Sequence, residues 1–178
     1  MITLQGQHIK LRALEPADIE LLLSTENNED LWHLSQSITP LSRHQLEEYI
    51  LNSSADFYEV KQLRLVISSK DNTALGFIDL FDFDPRARKA GVGIVISNSA
   101  NRRKGFGKEA LLLLIGYAFK RLNLHQLYCN ILESNSHSLR LFEDVGFNKI
   151  GLKQDWSYQD NSFENEWFLQ LLNNENVH

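Results

Sequence analysis

The thirty residues 90–119, AGVGIVISNSANRRKGFGKEALLLLIGYAF, restrict what this chain can fold into more than any other stretch. An apolar run, a short basic glycine loop and a helix-forming run follow one another without a break. Residues 90–96 read as a strand buried on both faces, and residues 106–121 as a strong helix. Between them, Gly105 and Gly107 let the backbone turn tightly and keep side chains away from an approaching group. The loop delivers unpaired N–H groups at a helix N-terminus, where the helix dipole also favours an anion. Arg102, Arg103, Lys104 and Lys108 place formal positive charge around the same spot. This is a cradle for a diphosphate; the plainer alternative is a tight strand-to-helix turn with its cations solvated. Two familiar phosphate loops do not fit. A Walker loop needs Ser or Thr after the lysine, but Glu109 follows Lys108; a dinucleotide fingerprint starting at Gly91 needs glycine at 96, where Ile96 stands.

Hydrophobic periodicity organises the rest of the chain around this unit. Residues 8–13 alternate as a half-buried strand, and Pro16 with its flanking acids opens a helix carrying Ile19, Leu22 and Leu23. Thr39-Pro40 opens a second helix with Leu46, Tyr49 and Ile50 at helical spacing. Strands are expected over 63–68 and 74–83, around the turn 70–73, and over 127–132. Asn135 caps a helix running to about 145, stopped by Gly146. A closing hairpin joins 151–158 to 163–172 through 159–162. The order β-α-α-β-β-β-α-β-α-β-β gives an α+β fold: a mixed sheet with helices on its faces, in a single domain over residues 1–178.

Composition excludes several classes. A chain of 178 residues with 43% apolar and 23% charged residues is ordinary globular material. Its formal charge of −5 argues against a nucleic-acid binder and suits a basic acceptor, which a negative field attracts. The single cysteine, Cys129, allows no internal disulfide, and no His/Cys spacing suggests a metal. MITLQGQHIKLRAL is not patterned as a signal peptide, and no apolar run reaches the ~18 residues of a membrane span. A cytoplasmic protein without a membrane partner is expected, with a homodimer left open.

Two blocks carry a family resemblance. The Arg102-Arg103-Lys104-Gly105-Phe106-Gly107 loop after a buried strand resembles the pyrophosphate loop of the GNAT superfamily of N-acetyltransferases. Residues 135–147, NSHSLRLFEDVGF, resemble that family's N-x-x-S/A-x-x-x-(Y/F)-x-x-x-G-F helix. The opening IKLRALEPADIELL and the closing GLKQDWSYQDNSFENEWFLQLL are similar to the RimJ/RimL ribosomal-protein and SpeG spermidine acetyltransferase branches. The resemblance implies a mostly antiparallel twisted sheet with a splayed central strand pair and acetyl-CoA as acyl donor. Transfer would pass directly to a primary amine, a protein N-terminus or a polyamine or other small amine, within a ternary complex. It also implies roles for residues. Ile94, Val95 and Ile96 would pair their backbone with the pantetheine arm. Arg102 to Gly107, with Phe106 and Lys108, would hold the pyrophosphate. Asn135 and Ser138 would flank the distal pantetheine, and Phe142 would sit near the thioester sulfur.

Catalysis needs a neutral amine, a path for its proton, stabilisation of the developing oxyanion and a proton for the departing thiolate. Many relatives place a tyrosine where Phe142 stands, and Phe142 has no proton to give. Ser138, one turn earlier, is the candidate donor; a positioned water is the alternative, with Ser138 then a capping hydroxyl. The strand before the loop carries no acid, so Asp79, alternating with Phe77 and Phe81 on the preceding strand, is the candidate base. Asp82 and Asp84 read as solvated strand-end acids. Asp155, Tyr158, Glu166, Glu26 and Glu29 are candidates to bind a cationic acceptor. His8, His44 and His178 read as exposed; His33, His125 and His137 have no nucleophile or metal partner in sequence, and Cys129 reads as core. The missing tyrosine and strand glutamate leave a second class in play, a non-catalytic acyl-CoA-binding or sensing module.

Overall fold

The computed structural model describes residues 4–35, 39–53, 55–159 and 161–174. Its strands are β1 (Ile9–Ala13), β2 (Leu63–Ser69), β3 (Ala74–Asp84), β4 (Lys89–Ile96), β5 (Gln126–Leu132), β6 (Asn148–Gln159) and β7 (Ser162–Leu172). They form one sheet in the order β1-β2-β3-β4-β5-β7-β6. Only β4 and β5 run parallel; every other neighbouring pair is antiparallel. The helices are α1 (Ile19–Glu26), α2 (Glu29–Ser35), α3 (Arg43–Asn52), α4 (Phe57–Val60), α5 (Phe106–Lys120) and α6 (Ser136–Asp144). The α+β architecture read from the sequence is the one observed.

The sheet buries both faces because its strands alternate. On β2, Leu65 and Ile67 join the core beneath α5 and α6, with Leu111, Leu114, Leu139 and Phe142. Val66 between them, with Phe77 of β3, packs against Leu22 of α1 and Leu46 and Ile50 of α3. Each such side chain, removed from water, contributes about 1.5–3 kcal/mol.

Local signals explain most element boundaries, with some corrections. Pro16–Asp18 is a 3-10 turn, and α1 proper starts at Ile19. The Asp18 carboxylate accepts from Glu15 N–H at 2.9 Å and from both terminal nitrogens of Arg12 at 2.8 and 2.7 Å. Burial works against the Asp18 charge, but these bonds outweigh it and hold the group below its ordinary range. The second expected helix, α3, begins at Arg43 rather than at Thr39-Pro40. Ser42 is its cap, in a reciprocal box with Gln45 at 3.2 and 2.8 Å. The short helices α2 and α4 carry too few residues to show a periodic stripe. Turn residue Asp160, the side chain of His33, and His178 lie outside the described residues.

One departure bears directly on function. The strand expected to be buried on both faces is so only over Ala90, Gly91 and Val92; residues 93–96 are half-buried. The cause is the parallel pairing of β4 with β5, which stops after Lys89↔Gln126, Ala90↔Leu127 and Gly91↔Tyr128. Beyond Gly91 the two strands part, and the backbone of β4 loses its neighbour on that side.

Candidate functional site

The parting of β4 and β5 opens a cleft of about 500 Å3 that passes from one face of the sheet to the other. Val92, Gly93, Ile94 and Val95 line one side, and Cys129 to Leu132 line the other. Asn135, Ser138 and Phe142 close it on the α6 face; Glu26, Arg64, Asp79, Phe81, Asp82 and Glu166 close it on the α1 face.

Below the open end of β4 lies the basic glycine loop. Arg102 is bonded at both ends of its side: its N–H reaches Ser99 O at 3.1 Å, and its guanidinium Nε reaches Ile96 O at 3.1 Å. Arg103 and Gly105 both adopt left-handed backbone, with φ of +60° and +84°. The turn ends in α5, whose first bond between backbone groups is Glu109 N–H to Gly105 O at 3.1 Å. The amides of Phe106, Gly107 and Lys108 precede that bond and have no acceptor within the helix. A Cβ built on Gly105 would meet nothing within 4 Å, so the space beside this residue at the start of α5 is open. Open space, free amides and four cationic side chains fit an incoming diphosphate. At Gly107 the constraint is different from the one the sequence suggested. Its Cβ would touch Leu141 at 3.4 Å and Ile94 at 3.8 Å, so glycine there lets α5 approach α6 and β4. Lys108 points toward Asp144 at 3.8 Å, at the far end of α6, and both are exposed. Glu109 ties the start of α5 to β1, accepting from the N–H groups of His8 at 2.9 Å and Ile9 at 3.4 Å.

On α6, Asn135 is the cap: its Oδ1 accepts from Ser138 N–H at 3.1 Å. The Ser138 hydroxyl therefore does no capping. It lines the cleft instead, one turn from Phe142, which is buried edge-on against Phe147 at 5.1 Å. Burial pushes the Cys129 thiol up, which keeps it protonated and unfit as a nucleophile.

The α1 face of the cleft is ionic. Arg64 donates to both oxygens of Asp79, Nε to Oδ1 at 2.7 Å and Nη2 to Oδ2 at 3.1 Å. Its Nη1 reaches Glu26 Oε1 at 2.6 Å. All three side chains are only 14–17% exposed. Burial works against the Arg64 charge, and the two carboxylates overcome it; burial also pushes Asp79 up, with Arg64 pulling the other way. Glu166, buried, is paired with Lys153, which also donates to Asn130 at 2.9 Å.

The structure brings Asp79, Glu26, Glu166, Ser138, Asn135 and Phe142 to one cleft. It leaves Asp155, Tyr158 and Glu29 outside the lining. Asp84 is the strand-end acid expected, accepting from Arg86 and Ala87 N–H at 2.9 Å each. Asp82 is exposed, as expected, but it also lines the cleft, from a left-handed position with φ of +48°. Arg64 and Tyr128 were passed over in the sequence. Arg64 had a legible signal, a charge inside the apolar run LRLVI; Tyr128 had none. Among the described residues no group of His, Cys, Asp or Glu is arranged to hold a metal, and no helix is long and apolar enough to cross a membrane.

Residues 8–148 match the family model of the acetyltransferase (GNAT) domain. The chain belongs to the GNAT acetyltransferase family. It is an N-acetyltransferase using acetyl-CoA as its acyl donor. Spermidine N(1)-acetyltransferase of Vibrio cholerae is 25% identical to this acetyltransferase over 146 residues, covering 82% of each chain. YdaF of Bacillus subtilis, given the provisional name of a ribosomal N-acetyltransferase, is 29% identical over 178 residues, 96% of this chain and 94% of its own. In fold, the acetyltransferase superposes on the structure of the Vibrio cholerae spermidine N-acetyltransferase in complex with CoA and spermine. The TM-score is 0.83 at 22% identity, covering 92% of this chain and 95% of that one.

Proposed function

We propose that this acetyltransferase acts on a cationic primary amine, which it binds on the α1 face of the cleft while acetyl-CoA occupies the α6 face. The acidity of the α1 face carries this reading. Glu26, Asp79, Asp82 and Glu166 line it, against the cations Arg64 and Lys153. An excess of carboxylate in a narrow, partly dry cleft concentrates cations. A polyamine or other small amine and a protein N-terminus both meet the requirement.

Acetyl-CoA supplies an activated acetyl group as a thioester. In this reading the Phe106, Gly107 and Lys108 amides hold its diphosphate, with Arg102, Arg103 and Lys104 contributing charge. The unpaired edge of Ile94, Val95 and Ile96 binds the pantetheine arm, Asn135 and Ser138 flank that arm, and Phe142 packs beside the sulfur. Ser138, with a hydroxyl not used in capping, donates the proton to the leaving sulfur. Transfer is direct, within a ternary complex, since the protonated Cys129 thiol offers no covalent relay. The whole chain acts as one catalytic domain, in the cytoplasm, without nucleic acid.

Thiol release from acetyl-CoA against a panel of polyamines, amino sugars and peptides tests the reading. Turnover with cationic amines supports it. The absence of a hydroxyl at Phe142 keeps a second reading, a sensor of acyl-CoA; tight acetyl-CoA binding with no turnover for any amine would select that one.

A further inference from the structure

In its pairing with β4, β3 breaks register at one place, and that place faces the apex of the splay. β3 pairs regularly with β4 down to Phe81↔Gly91, then shifts before Asp84↔Lys89. Asp82 lies in the irregular part at a φ of +48°, a conformation that costs a non-glycine residue on the order of 1 kcal/mol or more. In a regular strand, consecutive side chains point to opposite faces. The bulge cancels that alternation, so that Phe81 and Asp82 both line the cleft. Gly91, opposite Phe81, is also the last residue of β4 paired to β5, where its partner is Tyr128. The Tyr128 hydroxyl donates to Asp82 Oδ2 at 3.4 Å. Burial, and then Asp82, push the Tyr128 phenol up, so it remains a donor. The Tyr128 ring meets Phe81 edge-on at 6.0 Å and stacks on Phe168 at 5.6 Å. A carboxylate set among aromatic rings at the point where two strands part is a place for an ammonium group, held by charge and by ring faces.

Asp79 and Asp82 differ in what they are free to do. Both Asp79 oxygens are held by Arg64, so taking a proton there means opening a bidentate pair. Asp82 is exposed, and Tyr128 is the one hydrogen-bond partner of its carboxylate among the described residues. We propose that Asp82 is the base that takes the proton from the bound amine, with Tyr128 as the residue that positions its carboxylate. The inference rests on the amine-acetylating reading of the same cleft. In the step, an N–H bond of the ammonium breaks and an O–H bond forms on Asp82. The freed nitrogen lone pair bonds to the acetyl carbon as the carbon–sulfur bond breaks. The second nitrogen proton is balanced by protonation of the departing thiolate, and Asp82 returns its proton to solvent.

The test is the pH dependence of kcat/KM for whichever amine the wild type turns over fastest, measured in Asp82→Asn, Tyr128→Phe and Asp79→Asn. Asparagine has the size of aspartate and tolerates left-handed backbone, so Asp82→Asn should melt like the wild type and bind acetyl-CoA equally in calorimetry. Near neutral pH its kcat/KM should fall ~10²-fold or more. The deficit should shrink as pH rises toward the amine's own ionisation, because free amine needs no base. Tyr128→Phe should lose less and keep the wild-type pH profile in shape. Glu26, Arg64, Asp79 and Glu166 face the same cleft, with Lys153 paired to Glu166, and Asp79→Asn controls for their shared field. A wild-type rate and profile in Asp82→Asn overturns the proposal, as does a deficit that is unchanged at every pH and confined to the amine's KM. Failure of the wild type itself with every amine would instead sink the underlying function.

Discussion

On the proposed acetyl-CoA side, the stretch from Ile94 to Lys108 is a contiguous piece of chain whose working groups are mostly backbone amides, joined by Asn135, Ser138 and Phe142 of the α6 region. The acceptor-side wall draws one to three side chains each from α1, β2, β3, β5 and β7. The first wall depends on a turn geometry that glycine and a helix start impose locally. The second depends on tertiary folding to bring Glu26, Arg64, Asp79, Asp82 and Glu166 together, with Tyr128 behind Asp82. A backbone cradle should tolerate loss of any one side chain, whereas an ionic side-chain wall should not.

The largest contrast is expected at Arg64. Arg64→Ala leaves Glu26 and Asp79 nearly buried without their cation, and removing one partner of such a cluster costs ~3–5 kcal/mol. Urea denaturation should show that loss, and acceptor KM should rise while acetyl-CoA affinity stays near wild type in any variant that folds. A loss below about 1 kcal/mol would show the cluster to be a solvated surface pair.

Ser138 sharpens the comparison from the other wall. Asn135, not Ser138, holds the helix cap, so Ser138→Ala should leave the melting temperature alone while turnover falls ~10²-fold if the hydroxyl is the donor. Asn135→Ala should do the reverse to stability, lowering it by ~1 kcal/mol. Unchanged turnover in Ser138→Ala would hand thiolate protonation to water.

The smallest effects are expected from the loop cations. Lys104→Ala should raise the acetyl-CoA KM a few-fold, ~0.5–1 kcal/mol, and the effect should shrink as salt rises, because exposed charge pairs are screened. Arg102→Ala adds loss of the bond to Ile96 O and should retain part of its effect at high salt. An acceptor-specific loss in either variant would break the division between the walls.

The same division explains what the sequence made legible. The turn into α5 was readable because its signals are local: Gly105, the basic run and a helix start are adjacent in the chain. The order of strands and of the longer helices was readable from periodicity, though not the short α2 and α4, and the cap at Asn135 from its position before an amphipathic run. Pairing of Arg64 with residues 26 and 79 was not readable, since no local pattern links an arginine on one strand to acids 38 and 15 residues away. The exposure of Asp82 was legible but its place in the cleft was not, because alternation holds only in a regular strand and nothing in LFDFD marks the bulge. The end of double-sided burial at Gly93 was hidden for a related reason. An apolar strand records that its side chains are covered, not that its backbone has lost a neighbour.

Calorimetric titration of acetyl-CoA into Gly105→Asn tests the account most directly. Asparagine can hold the left-handed backbone of Gly105, but it places a side chain in the open space beside this residue at the start of α5. The account predicts a loss of acetyl-CoA affinity of ~10²-fold, about 2.7 kcal/mol, in a variant that melts within a few degrees of wild type. Wild-type affinity in that folded variant would contradict it, because the diphosphate would then bind somewhere other than the loop.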